Sequence, residues 1–354
     1  MDADLSNNSL GRTHALWLLT QELGWPSAIV GMAGHGIWPP LRGSSFAESC
    51  RLLPGGPAEQ VDELARLAPE FDLIVAVKPF ESTFIRSWQA TRAAGLPLLL
   101  DIDDPDLSAA LATGYPLKQF AKSVLKPRQM GRARTRLQLA LNTPRVVSNP
   151  YLQAQYGGTI VPHPRKASDA GDPHRSHRPE IAFVGTNRRH KGLGILREAV
   201  GRLQDEGFSL VITDNSPDDA RPWEHWIGGT SLAQGLEVVA RSDIVVVPSM
   251  NRAWSYGQLP AKLIDAMMLG RAIVVSDIAP LPWAIGDGGL TFRPGSVKSL
   301  RAQLARLTDP TFRTELGSLA HQRAEDVFSV SAVAPNFARA CLEALSSFNR
   351  STHK

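Results

Sequence analysis

Residues 242–277 read SDIVVVPSMNRAWSYGQLPAKLIDAMMLGRAIVVSD, and this stretch decides the fold. Ile244, Val245, Val246 and Val247 form a short β-branched run ending at Pro248 and Ser249. That is the pattern of a strand buried on both faces of a parallel sheet. A polar, glycine-containing loop follows. Pro260 then opens a helical pattern of Leu263, Ile264 and Met267, closed by Gly270, and Ala272 to Val275 form a second β-branched run. Leu259 falls at the expected N-cap and offers no side-chain acceptor. The N–H groups of Ala261, Lys262 and Leu263 are therefore expected to be free, and with the Lys262 ammonium they make an anion site. Strand end, loop and uncapped helix start together read as a phosphate cradle.

The same rhythm extends along the chain. SAIV (from Ser27), FDLIVAV (from Phe71), LPLLLDI (from Leu96) and RVVS (from Arg145) read as short buried strands, with helical stretches such as Glu81 to Ala94 between them. EIAFVG (from Glu180), FSLVIT (from Phe208), DIVVVP (from Asp243) and RAIVVS (from Arg271) repeat it. Alternating strands and helices predict an α/β chain with parallel sheets and right-handed crossovers. Lys166 to Pro179, KASDAGDPHRSHRP, is polar, unpatterned and linker-like. At 354 residues the chain suits two doubly wound domains facing one cleft, 1–165 and 180–330, joined by 166–179.

Composition narrows the setting. The hydrophobic fraction of 43% is ordinary for a globular protein. No apolar run approaches the roughly 20 residues that span a bilayer. The opening MDADLSNNSLGR lacks a basic n-region and an apolar core, so no signal peptide is expected. Cys50 and Cys341, the two cysteines, read as free thiols of a reducing cytoplasm. The formal charge of +4 is unevenly spread. Residues 107–168 contain no Asp or Glu, yet carry Lys118, Lys122, Lys126, Arg128, Arg132, Arg134, Arg136, Arg145, Arg165 and Lys166. Lys118, Lys122 and Lys126 share one helical face, interleaved with Phe120, Val124 and Leu125. Peripheral docking on an anionic membrane surface, contact with an anionic soluble acceptor, and a merely solvated face all fit this patch. Nucleic acid is disfavoured, because few aromatics interleave with the later arginines.

A second segment, IAFVGTNRRHKGLGIL, is a strand, a glycine turn, a basic cluster and a helix start. Together with residues 242–277 it resembles the donor-binding half of GT-B glycosyltransferases, especially the retaining family 4 enzymes. The resemblance implies two Rossmann-like domains, an acceptor-side first domain, a donor-binding second domain, and a C-terminal helix (331–354) packing back on the first. It implies that Lys191, with Arg188 or Arg189, clamps a donor diphosphate. It also implies that Asp265 stands where the family has the Glu that holds the ribose. Gly257, Gln258, Leu259 and Lys262 complete the donor-binding set on the second domain. Gly257 falls where the family often has a second carboxylate that contacts the donor sugar. VVSNPYLQAQYGGTIVPHPRK resembles the segment that ends the first domain of these enzymes and enters the second.

In the first domain, SNNSLGRTHALWLLTQELGW places Gly11, counted with the donor-binding residues, in a glycine turn before a helix. The family puts a strong strand before that turn, whereas only Met1 to Leu5 precede it here. The first strand is therefore expected to be missing, displaced or lost to a late start codon. LLLDIDDPD ends a strand with Asp101, Asp103 and Asp104 where family members usually have a His-containing sequence. Strand termini are where doubly wound folds place ligands. Asp103 and Asp104, with Lys191, are thus the catalytic candidates. Loop-capping carboxylates are an equal reading, and a divalent-metal pair is a third. His14 and His35 read as ordinary histidines.

The function implied is transfer of a sugar from a nucleoside-diphosphate sugar to an acceptor hydroxyl, with retention. The acceptor would be a glycan, a lipid-linked molecule or a small molecule, and no cofactor or metal is expected. A sugar-nucleotide epimerase or phosphorylase on the same fold is one alternative. Gly257 and the missing histidine keep open another, a non-catalytic nucleotide-sugar-binding protein.

Overall fold

The computed structural model describes residues 1–107, 127–171, 176–185 and 187–352. It divides into two compact units, Met1–Pro164 with Val333–Lys354, and Arg165–Ala332. Among the described residues, no helix is long and apolar enough to cross a membrane.

In the first unit the strands are β1 (Ile29–Gly31), β2 (Cys50–Leu52), β3 (Ile74–Val77), β4 (Leu98–Ile102), β5 (Arg145–Val147) and β6 (Thr159–Ile160). They pair in parallel as β1-β2 and as β3-β4-β5-β6. Met1 and Asp2 close the gap between these two pieces. The Asp2 N–H donates to the Val30 carbonyl at 2.9 Å, and the Asp2 carbonyl accepts from Met32 N–H at 3.1 Å. On the other side the Met1 amino group donates to Val75 O at 2.8 Å, and Met1 O accepts from Val77 N–H at 3.0 Å. Met1 and Asp2 therefore stand where the first strand was expected, bonded to a neighbour on each side. Gly31 permits it, because a Cβ there would lie 2.3 Å from Leu5 Cγ. The spatial order becomes β2-β1-(Met1–Asp2)-β3-β4-β5-β6, a doubly wound sheet that reverses direction beside Met1. Its core includes Val30, Ile74, Ala76, Leu98, Leu100, Ile102 and Val147.

The expected helix over 81–94 forms as a π-helical turn, Glu81–Ile85, followed by the α-helix Arg86–Ala94. Gly95 ends it with φ 66°, the left-handed cap that glycine takes without penalty.

In the second unit β7 (Glu180–Phe183), β8 (Ser209–Ile212), β9 (Glu224–Trp226), β10 (Ile244–Val247), β11 (Ala272–Ser276) and β12 (Leu290–Phe292) make one parallel sheet. Its order is β12-β11-β10-β7-β8-β9. The side-chain period of two explains its continuous apolar runs. Ile181, Phe183, Leu210, Ile212, Ile244, Val246 and Val274 pack on one face. Ala182, Val245, Ile273 and Val275 pack on the other, against the helix Ala261–Met268. A fully buried aliphatic side chain contributes roughly 1.5–3 kcal/mol. Residues of the expected linker belong to this unit: Gly171 N–H donates to Leu269 O at 3.2 Å, and Arg313 donates to Ser176 O.

Candidate active site

In the second unit the chain leaves β7 in one direction and β10 in the other, so β7 and β10 flank the point where strand order reverses. Open parallel sheets bind ligands at such a point, beyond the carboxyl ends of the strands. Both segments singled out in the sequence emerge there. The turn after β7 runs through Gly185 to the 3₁₀ turn Arg189–Lys191. The loop after β10 runs from Pro248 to Pro260. They touch: Met250 N–H donates to His190 O at 2.7 Å.

Gly192 is the pivot of this junction. Its φ is +69°, and a Cβ added to it would sit 1.9 Å from the Pro248 carbonyl oxygen. Gly192→Ala is expected to destabilise the protein by roughly 1–3 kcal/mol through overpacking, with added strain from the left-handed backbone. A urea midpoint equal to that of the parent would contradict this close approach.

Lys191 is half-buried, and its ammonium lies 3.1 Å from the position of a Gly185 Cβ. Burial, then the charge of Arg188, holds its pKa below the usual lysine value, against a smaller opposing pull from Asp214. His190 is pushed down for the same reasons, by burial and then by Lys191 and Arg188. Arg188 and Arg189 are exposed. Cations crowded in this way gain when an anion arrives.

The helix start after β10 departs from expectation by one residue. Pro260 is the N-cap (φ −63°, ψ 127°), the helix begins at Ala261, and Leu259 is buried before it. Leu263 N–H is not free, because it donates to Pro260 O at 3.0 Å. Asp265 is buried, with 4% of its side-chain surface exposed. One of its oxygens accepts from Arg165 Nε. The other, Oδ2, lies 3.4 Å from the Lys262 ammonium. Neither Oδ2 nor Lys262 Nζ has a hydrogen-bond partner among the described residues. Lys262 Nζ also lies 3.5 Å from a Gly235 Cβ position, where Val184, just past β7, closes in as well. Buried polar atoms left without hydrogen bonds cost stability unless a further partner completes them. Gly257 takes φ +82° and donates its N–H to Ala279 O at 3.0 Å; Gln258 beside it is half-buried.

In the first unit the acidic strand end is saturated with cations. Asp101 is buried and accepts three hydrogen bonds from Arg12, at 2.7, 3.0 and 3.2 Å. Arg12 donates as well to Pro162 O at 2.9 Å and Val161 O at 2.8 Å. Burial alone would lower the Arg12 pKa, but Asp101 outweighs it and holds the guanidinium above its ordinary value. Asp101 is thus a structural counter-ion. Asp103 and Asp104 share the ammonium of Lys78, at 2.7 and 2.8 Å. Burial opposes ionisation of Asp103, yet Lys78, then His163 and Arg12, hold it below its ordinary value. Asp104 is pushed up to about 6 by burial and by Asp103, against the pull of Lys78.

That shift has a stability signature. Folding raises the Asp104 pKa, so the native state binds more protons than the unfolded chain between about pH 4 and pH 6. The stabilising contribution is complete below this window and is lost as pH rises through it. With 35% of its side chain exposed, Asp104 should show a muted effect. Urea midpoints of the parent should fall more across pH 4–7 than those of Asp104→Asn. Parallel curves would place Asp104 at an ordinary carboxyl value.

The other expected residues fall as follows. Gly11 is not in a turn; it lies in the first helical turn of Leu10–Glu22, its N–H donating to Asn8 O at 3.2 Å. His14 packs edge-on against Phe46 at 5.0 Å, and His35 is exposed. Arg128 and Arg132 are exposed on the helix Pro127–Leu141, while Lys118, Lys122 and Lys126 lie outside the described residues. Sequence reasoning missed Arg12, Lys78 and Arg165. Lys78 left one signal, a charged residue directly after a buried strand.

Two doubly wound α/β units with parallel sheets define the GT-B glycosyltransferase fold. Residues 178–309, within the second unit, match the model of the family described as glycosyl transferases group 1. Alpha-maltose-1-phosphate synthase of Mycolicibacterium smegmatis is 26% identical over 184 residues, covering 45% of this chain. The chain spans 46% of that relative's length. Among solved structures, Anabaena Alr3699/HepE in complex with UDP superposes with a TM-score of 0.69 at 14% identity, covering 98% of this chain and 99% of that one. Sucrose-phosphate synthase of Thermosynechococcus elongatus gives 0.69 at 15% identity, over 95% of this chain and 93% of that one.

Proposed function

We propose that the chain transfers a sugar from a nucleoside-diphosphate sugar to an acceptor hydroxyl, with retention of configuration. The observation that carries this reading is the junction of β7 and β10. It gathers a half-buried Lys191, whose pKa burial depresses, and the contact of half-buried Lys262 with buried Asp265, in which Lys262 Nζ and Asp265 Oδ2 lack hydrogen-bond partners among the described residues. These groups suit a diphosphate and a ribose. Lys191 gains most as charge grows on the departing diphosphate, which is electrostatic catalysis at the leaving group. Asp265 is one methylene shorter than the Glu of the resemblance and already accepts from Arg165, so Asp265 takes the ribose only through Oδ2. Asp103 and Asp104 supply carboxylates for the acceptor hydroxyl, the ionised Asp103 polarising it and Asp104 exchanging its proton near pH 6.

One structural relative, Anabaena HepE, is described in complex with UDP and with UDP-glucose, so uridine nucleotides come first in the test. A saturating ligand at a hundred times its Kd stabilises the native state by about 2.7 kcal/mol. UDP or another nucleoside diphosphate should raise the melting temperature of the parent and do so less for Asp265→Ala. No shift with any nucleotide of a full panel would overturn the reading.

The basic segment suggests where the acceptor lies. Arg128 and Arg132 stand exposed on their helix, and each basic residue near an anionic lipid surface contributes about 1 kcal/mol. The chain should co-sediment with vesicles of anionic but not neutral lipid, and added salt should release it. Replacing Lys118, Lys122, Lys126, Arg128 and Arg132 by Gln should abolish sedimentation. Equal sedimentation by that variant would leave the segment a solvated face.

A further inference from the structure

We propose that Lys78 is the built-in cation of the acidic strand end: a positioning residue that fixes Asp103 and Asp104 and fills the volume a divalent ion would otherwise take. The proposal rests on the reading of those two carboxylates as acceptor-side groups, but its geometry stands apart from that reading.

Asp103, Asp104 and Asp106 each bring a carboxylate oxygen within 4.8 Å of the others, a spacing a divalent ion could bridge. Lys78 Nζ lies among them, at 2.7 Å from Asp103, 2.8 Å from Asp104 and 3.6 Å from Asp106. An ammonium has three N–H donors and no acceptor; it donates to Asp103 and Asp104 and stands in ion-pair range of Asp106. Coulomb repulsion among three like charges this close would drive the segment apart without a cation at its centre.

The backbone is bent to deliver that ammonium. Lys78 is the one non-glycine residue with positive φ among the described residues, at 65°. It does so immediately before Pro79, a position biased toward extended conformations. Such a residue persists only where its surroundings over-determine it. Here Lys78 N–H donates to Asp101 O at 3.1 Å, and Thr83 Oγ1 donates to Lys78 O at 2.7 Å. With 8% of its surface exposed, the side chain is committed to this contact. Unlike a bound ion, a tethered ammonium cannot dissociate or be chelated.

Lys78→Gly tests this without forcing the backbone, since glycine accepts φ 65° freely. Manganese(II) titration followed by electron paramagnetic resonance should find no stoichiometric site in the full-length parent or in Lys78→Arg. Lys78→Gly should bind one ion per chain, and Lys78→Gly with Asp103→Asn should bind none. These arms need no activity, so they separate this proposal from failure of the transferase reading. Where transfer is measurable, Lys78→Gly should lose about 100-fold in rate and recover at least part of it with manganese(II), while the parent is indifferent to EDTA. A stoichiometric manganese site in the parent that Asp103→Asn removes would overturn the proposal. So would a metal-free Lys78→Gly that binds no manganese and matches the parent rate.

Discussion

Arg12→Met is expected to destabilise the first unit by about 3–5 kcal/mol, the scale found when one partner of a buried ion pair is removed. Arg12 and Asp101 are both fully buried, with side-chain exposures of 1% and 0%. Removing the guanidinium strips Asp101 of three hydrogen bonds and leaves the carbonyls of Val161 and Pro162 without this donor. It also removes a positive charge that helps hold Asp103 ionised. The double change Arg12→Met, Asp101→Leu should recover much of the loss, because an apolar pair leaves no buried charge behind. The measurement is the urea midpoint at unchanged m-value. A loss below about 1 kcal/mol, typical of exposed pairs, would show that water reaches this contact.

Lys191→Ala is expected to lower kcat by roughly 10²–10³, the effect of deleting one preorganised group at a developing charge, and to raise KM far less. The asymmetry follows from where the charge is. In the bound donor the diphosphate shares its charge with the sugar bond, and in the transition state that charge is released onto the phosphate oxygens beside the cation. Burial and Arg188 already strain the Lys191 ammonium, so the growing anion relieves it. Arg188→Ala and Arg189→Ala, both exposed, should have smaller effects. An unchanged kcat in Lys191→Ala at saturating donor would make Lys191 a surface residue.

Most of the sheet architecture is legible in the sequence because buried parallel strands are written as short apolar runs. All eight such runs became strands, from Ile29–Gly31 to Ala272–Ser276. The strands that escaped are peripheral or brief. Cys50–Leu52, Thr159–Ile160, Glu224–Trp226 and Leu290–Phe292 lie at sheet edges and have two or three residues each. Met1 and Asp2 escaped because two residues cannot show a period; only their bonds to Val30 and Val75 reveal them.

The site was legible unevenly. Residues near in sequence, such as Lys191 and Gly192, could be read from their turn, and the glycine has a steric reason in Pro248 O. The partners of the carboxylates could not. Arg12 is 89 residues from Asp101, Lys78 is 25 from Asp103, and Arg165 is 100 from Asp265. A list of acids at a strand end gives no hint of which cation meets each one. That is why Asp101, a counter-ion, and Asp104, a titrating carboxyl, looked alike on the page. Helix starts are similarly blurred, and one residue of offset at Pro260 was enough to occupy the Leu263 N–H that the sequence left free.

Direct observation of turnover tests the central claim most sharply. The parent is incubated with nucleoside-diphosphate sugars, uridine donors first, alone and with a panel of glycan, lipid-linked and small-molecule hydroxyl acceptors. Released nucleoside diphosphate and glycosylated product are quantified together. The expected result is slow release alone, and with the right acceptor a rate at least tenfold higher, one nucleotide per sugar transferred, lost in Lys191→Ala. Saturable donor binding with no acceptor-stimulated release across the panel would contradict it and would mark the chain as a nucleotide-sugar-binding protein.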